Sequence, residues 1–421
     1  MDGIGYATIA DQFAKGLFRE GLTNVFSPMY PLFVSLLHLA VPDVELAGRV
    51  VSLFFGVLLI WISFLFANRL LGDSRKALWM AALVAFPPYL LRFSSQVLSE
   101  SVATFLFTLS VFSFFLGWQE RRRSALALSG LCLVMTYLTR PEYLVFYAPF
   151  ALLLLGRKRL FDCVMLLAPF LIVGVLYILY LHMQTGTYTV SNRVALSPFA
   201  GLAAFFPTIP FVSYDFMVAI FPLFFLLAIC GLRRTNGPYR GLVLFLVVFH
   251  VLSLSFISHS TKRYSVEFVP ILTIFAVEGI YAVREYFERL VPQRIVSSIL
   301  LAAVIFMGIL EPLTFSSNDR GLQKQAGLFL LERGSGSVIA ARLPLAAFYS
   351  KGRPVNLSSE MEADPSAEHF NRVLADRKVD YLVIDNELEK EVPMLKNRLS
   401  GWVPLYSLDH KGAFVKVYKV S

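Results

Sequence analysis

Charge is scarce in this 421-residue sequence. Charged residues make up 16% of it, where soluble chains carry roughly 25%. The shortage excludes a soluble enzyme, a nucleic-acid-binding domain and a disordered scaffold together. Cysteine is scarce as well: Cys132, Cys163 and Cys230 all fall inside apolar stretches. They offer neither a disulfide framework nor a thiolate metal cluster, and they read as buried apolar thiols. The sequence has no signal-peptide pattern at its start, no internal repeat, no low-complexity tract and no dense cluster of Asp and Glu. What fills it instead is apolar, with 57% hydrophobic and 14% aromatic residues and a mean hydropathy of +0.64. This is the composition of a membrane protein, so the net charge of +9 marks topology and not a nucleic-acid partner.

A span needs about 20 mostly apolar residues to cross about 30 Å of hydrocarbon. Such windows recur near residues 46–68, 77–91, 98–118, 124–139, 142–156, 160–182, 214–232, 238–257, 265–283 and 295–314, which predicts ten spans. The connections sort by charge. One alternating set holds Arg69, Arg75 and Lys76; Arg121, Arg122 and Arg123; Arg157, Lys158 and Arg159; Arg233, Arg234 and Arg240; and Arg284, Arg289 and Arg294. The opposite set holds only Arg92, Arg140, Arg193, Lys262 and Arg263. Because Lys and Arg in short loops stay cytoplasmic, the loops carrying Arg92, Arg140 and Lys262 are expected to face outward. Ten spans would leave both chain ends outside, and an eleventh helix ahead of Met1 is the simpler expectation for residues 1–29. The cysteine-free exterior and the basic inner loops suit a bacterial inner membrane.

Composition changes after Phe315. Residues 316–421 hold fifteen basic and thirteen acidic residues, against twenty-three and sixteen in the first 315. Short apolar runs at 337–341 and 381–384 are strand-sized, and polar helical stretches near 366–377 and 387–399 alternate with them. The expected organisation is an outer N-terminal segment with amphipathic helices over 1–45, a transmembrane domain over 46–315, and an extracytoplasmic α/β domain over 316–421.

Ionisable residues at the edge of the hydrocarbon are costly and mark function. Here they converge on the outer side: Asp2, Asp11, Arg92, Glu100, Arg140, Glu142, His259, Lys262, Arg263 and Glu267. Asp162 and Glu278 fall toward the other side, and no chain of charges crosses the midplane as an ion-coupled transporter usually needs. His259, Lys262 and Arg263 lie within about a turn of one another in I-S-H-S-T-K-R-Y-S-V-E-F-V-P, residues 257–270. Three potential cations suit a lipid phosphate, with Lys a point charge and Arg a bidentate fork; the alternative is a basic anchor to headgroups. Arg140, in L-T-R-P-E, either adds a phosphate contact or pairs locally with Glu142. Glu100 is either a partner for the helix dipole or a ligand for sugar hydroxyls or a nearby cation, since Ser99 already stands at the cap position. Asp2, taken alone, is a frayed tail residue. Phe199, Phe205, Phe206 and Phe211, in the 183–213 connection, either cover a bound lipid chain or acceptor or form an interfacial aromatic belt.

The order of these motifs carries a resemblance. D-G-I-G-Y-A-T-I-A-D-Q-F at 2–13, S-P-M-Y-P-L at 27–32, F-S-S-Q-V-L-S-E-S at 93–101, L-T-R-P-E at 138–142 and K-R-Y-S-V-E-F-V-P at 262–270 resemble the GT-C integral-membrane glycosyltransferases. Within them the likeness is to the family 39 group, which includes protein O-mannosyltransferases and the lipid A aminoarabinose transferase. The resemblance implies an α-helical polytopic enzyme that moves a sugar from a polyprenyl-phosphate donor to a hydroxyl of a lipid, glycan or protein, outside the cytoplasm and with inversion. It implies a base or acceptor-orienting carboxylate at Asp2, although many relatives carry a second acidic residue where this chain has Gly3. Displacement at an anomeric carbon passes through an oxocarbenium-like state, so a base must take the acceptor proton while cations stabilise the departing phosphate. Lys262, Arg263 and Arg140 fit that second role, His259 and Arg92 are weaker candidates, and Glu100 would position the donor sugar. A monophosphate leaving group that side chains neutralise requires no metal, and the carboxylates leave room for a divalent cation. Two rival classes are a lipid-linked-sugar flippase and a non-catalytic subunit of an envelope-assembly complex. The first predicts transport without bond breakage; the second predicts silent Asp2 and Lys262 substitutions.

Overall fold

The computed structural model describes residues 2–186, 198–235, 237–257, 262–287, 318–333, 336–362, 364–410 and 412–420, together with 295, 298–299, 302–303 and 305–306. The chain divides into two compact units, residues 5–313 and residues 314–421 with 1–4.

Among the described residues the larger unit is built of helices, and each apolar stretch expected between 46 and 283 is helical. Among the described residues five helices are long and apolar enough to cross a membrane: Val44–Leu71, Glu100–Glu120, Leu160–Thr185, Gly237–Phe256 and Lys262–Phe287. Up to seven qualify if each of two bent pairs counts as one span. The chain is an integral membrane protein. The expected stretch at 295–314 lies for the most part outside the described residues.

Two stretches differ from their sequence reading, and proline explains both. Residues 77–91 do not form one rod, because Ser74–Ala85 and Pro88–Ser94 meet at 67° around Pro87 and Pro88, which lack a backbone donor and crowd the preceding turn. The 183–213 connection is in large part helix: Pro198–Ile220 is continuous despite Pro207 and Pro210, and the bend comes later, 91° at Phe221. Phe221 sits at φ +75° immediately before Pro222, in a region that L-residues seldom adopt and with a proline that bars the helical alternative. Phe199, Phe205, Phe206 and Phe211 are therefore helix residues, and Phe206 and Phe211 are exposed.

Burial ranks the helices. Glu100–Glu120 and Lys262–Phe287 are the most enclosed, with 78% and 83% of their apolar windows buried, whereas Leu160–Thr185 has 17%. In Val44–Leu71, Val51, Phe55, Leu59, Ile62 and Phe66 are buried while Leu46, Val50, Leu53, Phe54, Val57 and Trp61 are exposed, the pattern of a helix with one face toward protein and one toward lipid. Without a hydrophobic drive between helices in lipid, small residues let backbones approach. Gly231 and Gly279 do this reciprocally: a Cβ on Gly231 would sit 2.0 Å from the Phe275 carbonyl oxygen, and one on Gly279 would sit 1.9 Å from that of Leu227. Cys132 and Cys163 are buried as expected, but Cys230 is exposed. Its helix, Pro222–Gly231, packs against Val269–Phe287 through Leu227 and Gly231, and this turns the thiol outward.

The connections of the basic set meet one another. Arg69 and Arg122 contact Glu120 at 2.5 and 2.8 Å, Lys76 contacts Glu278 at 2.6 Å, Arg234 contacts Glu285 at 2.8 Å, and Arg123 reaches Asp162 at 3.4 Å. Arg159 pairs with Asp162 and donates to the carbonyls of Trp118 at 2.7 Å and Gly117 at 3.0 Å. It thereby satisfies acceptors that the end of Glu100–Glu120 leaves open. These contacts gather the loops at one end of the helices, as the charge alternation requires.

The smaller unit is α/β. Its five strands, β1 (Val338–Ala341), β2 (Arg353–Asn356), β3 (Tyr381–Asp385), β4 (Tyr406–His410) and β5 (Ala413–Lys419), run in the order β2-β1-β3-β5-β4. β1 is parallel to β2 and β3, while β5 is antiparallel to β3 and β4. β3 alternates Leu382 and Ile384 into one apolar cluster and Val383 into another, so the sheet is covered on both faces. The first cluster includes Phe370, Val373 and Leu374 of helix Ala367–Asp376, close to the helical stretch expected near 366–377.

Candidate active site

The site is built where three chain reversals meet. The first is the start of Glu100–Glu120. Glu100 and Ser99 are buried, and Ser99, although it stands at the cap position, accepts no hydrogen bond from the first-turn N–H groups. Its Oγ lies 2.9 Å from the Tyr6 hydroxyl instead, because its backbone is already helical (φ −77°, ψ −12°) and not extended as side-chain capping requires. Ser99 is therefore not the side-chain cap that its position suggests. Tyr6 belongs to the apolar cluster of Tyr30, Val34, Val51 and Val102, and Tyr30 donates to the Gly48 carbonyl at 3.0 Å. The N-terminal helices are thereby packed onto Val44–Leu71 and the start of Glu100–Glu120.

The second reversal is Arg140, between helix Arg123–Thr139 and the 3-10 turn Pro141–Phe146. Arg140 is extended (φ −147°, ψ 108°) because the next residue is proline. Its side chain is 7% exposed and meets three carboxylates: Glu142 at 2.7 Å, Glu100 at 3.1 Å and Glu267 at 3.4 Å.

The third is the turn Lys262–Tyr264, which leads through Val266–Phe268 into Val269–Phe287. Each residue after Lys262 is held. Arg263 donates from Nε to Glu100 Oε1 at 2.6 Å, and its Nη2 reaches the same oxygen. The Tyr264 ring lies 5.0 Å from the Arg140 guanidinium carbon, and the Tyr264 carbonyl accepts from the Tyr143 hydroxyl at 3.4 Å. The Ser265 Oγ lies 3.3 Å from Nε2 of buried His250. Lys262 is partly exposed and forms no ion pair among the described residues.

Of the residues singled out from sequence, the structure brings Glu100, Arg140 and Arg263 together, with Lys262 adjoining. The local Arg140–Glu142 pair exists as one arm of a larger network. Glu267, which the charge count placed on the outer side but gave no role, is a full member, wholly buried beside Arg140. Only the rarity of a carboxylate at the start of so apolar a helix pointed to it. Arg92 is half-buried on Pro88–Ser94. Asp2 opens the first helix, Asp2–Ala14, and groups with the other compact unit. His259 lies outside the described residues. Among the described residues no group of three or more His, Cys, Asp and Glu is placed to hold a metal ion.

A polytopic helical membrane unit followed by a small mixed-sheet domain is a fold that this chain shares with solved membrane proteins. Residues 26–183 match the family described as dolichyl-phosphate-mannose-protein mannosyltransferase. The fold is similar over 99% of this chain to ArnT from Cupriavidus metallidurans in the apo state, with TM-score 0.62, 14% identity and 93% of that chain covered. ArnT from the same organism bound to undecaprenyl phosphate gives TM-score 0.65 at 13% identity, covering 99% of this chain and 93% of that one. The archaeal oligosaccharyltransferase AglB from Archaeoglobus fulgidus, in complex with an inhibitory peptide and a dolichol-phosphate, gives 0.56 at 13% identity, covering 99% of this chain and 70% of that chain. No curated protein sequence matches. The family match spans residues 26–183 of the 421, and the likeness to ArnT and AglB is one of fold.

Proposed function

We propose that this protein transfers a sugar from a polyprenyl-phosphate donor to an acceptor hydroxyl at the outer face of the membrane, with inversion. The observation that carries the reading is the turn at Lys262 and Arg263: two adjacent cations, one unpaired among the described residues and the other fastened by a buried carboxylate. A phosphate is the ligand such a pair suits, Lys as a point charge and Arg as a fork. The match of residues 26–183 to a dolichyl-phosphate-mannose-dependent family supports it, as does the likeness to structures holding undecaprenyl phosphate and a dolichol-phosphate.

In the proposed reaction the acceptor oxygen attacks the anomeric carbon, and the bond from that carbon to the phosphate oxygen breaks with both electrons leaving on the phosphate. Lys262 and Arg263 offset the charge that develops there, with Arg92 and His259 as further cations of the outer side. Asp2 takes the acceptor proton. Glu100 holds Arg263 and faces the donor sugar. The acceptor is a lipid, glycan or protein hydroxyl, the active side and the α/β domain are extracytoplasmic, and a bacterial inner membrane suits the charge alternation.

The test is mass spectrometry of polyprenyl-phosphate sugars extracted from cells with and without the protein, followed by complementation with Asp2→Asn and Lys262→Ala. Accumulation of one lipid-linked sugar in the absence of the protein, relieved by the native chain and by neither variant, is the expected result. An unchanged pool, or full relief by both variants, overturns the reading.

A further inference from the structure

Arg140 is a buried cation met by three carboxylates. Its side chain is 7% exposed, and three carboxylates stand within 3.4 Å of it. A guanidinium so buried and so paired is poorly placed to meet a lipid phosphate, because the phosphate would have to displace carboxylates already at contact distance. Arg263 differs, with its side chain 38% exposed.

The two arginines compete for one atom. Arg140 Nη1 lies 3.1 Å from Glu100 Oε1, and Arg263 Nε donates to that same oxygen at 2.6 Å. Glu100 Oε2 is buried without a hydrogen-bond partner among the described residues. How firmly Glu100 holds Arg263 therefore depends on how much of the Arg140 charge is met elsewhere. Glu142 and Glu267 meet it, and Glu267 is the one that is wholly buried. Removing the Glu267 charge leaves Arg140 to draw harder on Glu100 Oε1, which loosens Arg263. The Tyr264 ring beneath the Arg140 guanidinium ties the turn itself to the same residue.

We propose that Glu267 and Arg140 are positioning residues that act through Glu100 to fix Arg263 for the donor phosphate. The inference rests on the reading of Arg263 as a phosphate contact given above.

A binding cycle tests it. The full-length protein, reconstituted in phosphatidylcholine nanodiscs, is titrated with undecaprenyl phosphate as native chain, Glu267→Gln, Arg263→Ala and the double variant. Glu267→Gln is expected to weaken binding about tenfold in the native background and less than about twofold in the Arg263→Ala background, within the range of coupling between residues of one network. A purely structural Glu267 would weaken both backgrounds alike, and equal losses overturn the inference while leaving Arg263 as a phosphate contact. Unchanged binding by Glu267→Gln overturns it too. If Arg263→Ala itself binds like the native chain, the phosphate role of Arg263 falls, and this inference with it. Arg140→Lys, which keeps the charge but not the fork, runs through the same cycle if Glu267→Gln does not fold, with the same coupling expected and additivity again fatal.

Discussion

Arg263 Nε donates to Glu100 Oε1 at 2.6 Å, across 163 residues of sequence. The contact joins the start of one deeply enclosed helix to the turn that opens another, and its carboxylate is wholly buried while the Arg263 side chain is 38% exposed. Removing one partner of a buried pair strands the other and costs about 3–5 kcal/mol, and Glu100 has two partners. Glu100→Ala is expected to lower the thermal midpoint in detergent markedly more than Glu100→Gln, whose amide oxygen still accepts from Arg263. Equal midpoints for the two variants would show that the pair contributes little to the fold.

Asp2→Asn is expected to act on chemistry alone. On the proposed role of Asp2 as the base that takes the acceptor proton, worth about 10²- to 10⁴-fold, sugar transfer should fall by that factor in a reconstituted assay. Asp2 also opens a helix, where loss of its charge costs about 0.3–1 kcal/mol at most surface sites. A native-like melting curve should therefore accompany the lost activity, and retained transfer would remove Asp2 from the site.

Gly279→Val should disturb the pairing of Pro222–Gly231 with Val269–Phe287. Even a single Cβ at Gly279 would come within 1.9 Å of the Leu227 carbonyl oxygen, a backbone atom with no rotamer to retreat into. Overpacking of this kind costs about 1–3 kcal/mol and sometimes more. Limited proteolysis in detergent should cut this variant faster than the native chain, and Gly231→Val should behave the same way because the contact is reciprocal.

Lys76 and Glu278 lie 2.6 Å apart at the opposite end of the helices, with side chains 23% and 7% exposed. Glu278→Leu alone leaves an ammonium without its anion and is expected to destabilise by a few kcal/mol. Lys76→Met combined with Glu278→Leu should recover most of that loss, since apolar pairs often replace enclosed ion pairs without cost. Chemical denaturation of the four chains reads the cycle directly, and a double variant no better than Glu278→Leu would contradict it.

Much of the membrane unit was legible because hydropathy is a local, additive property. The window at 46–68 appears as Val44–Leu71 and the one at 98–118 as Glu100–Glu120. Bends were not legible. Pro87–Pro88 breaks a helix while Pro207 and Pro210 are accommodated within one, and the difference depends on whether neighbouring helices support the kinked backbone, which no sequence window contains. Cys230 illustrates the same limit: its stretch is plainly apolar, but the face it occupies is settled by which side of its helix meets Val269–Phe287.

The site divides along that line. From the sequence alone came the membrane class, the alternation of basic and sparsely charged loops, the small α/β domain, and the convergence of Glu100, Arg140, Lys262 and Arg263 on one side. These follow from side-chain transfer energies and from charge counted along the chain, both insensitive to distant partners. Tertiary structure alone decided that Arg140 is shared among Glu100, Glu142 and Glu267, that Arg263 leans on Glu100, and that Ser99 answers Tyr6 instead of capping its helix. Coulomb and hydrogen-bond energies fall off over a few ångströms, so which charges meet depends on where each helix end lands, and that is a property of the packed bundle.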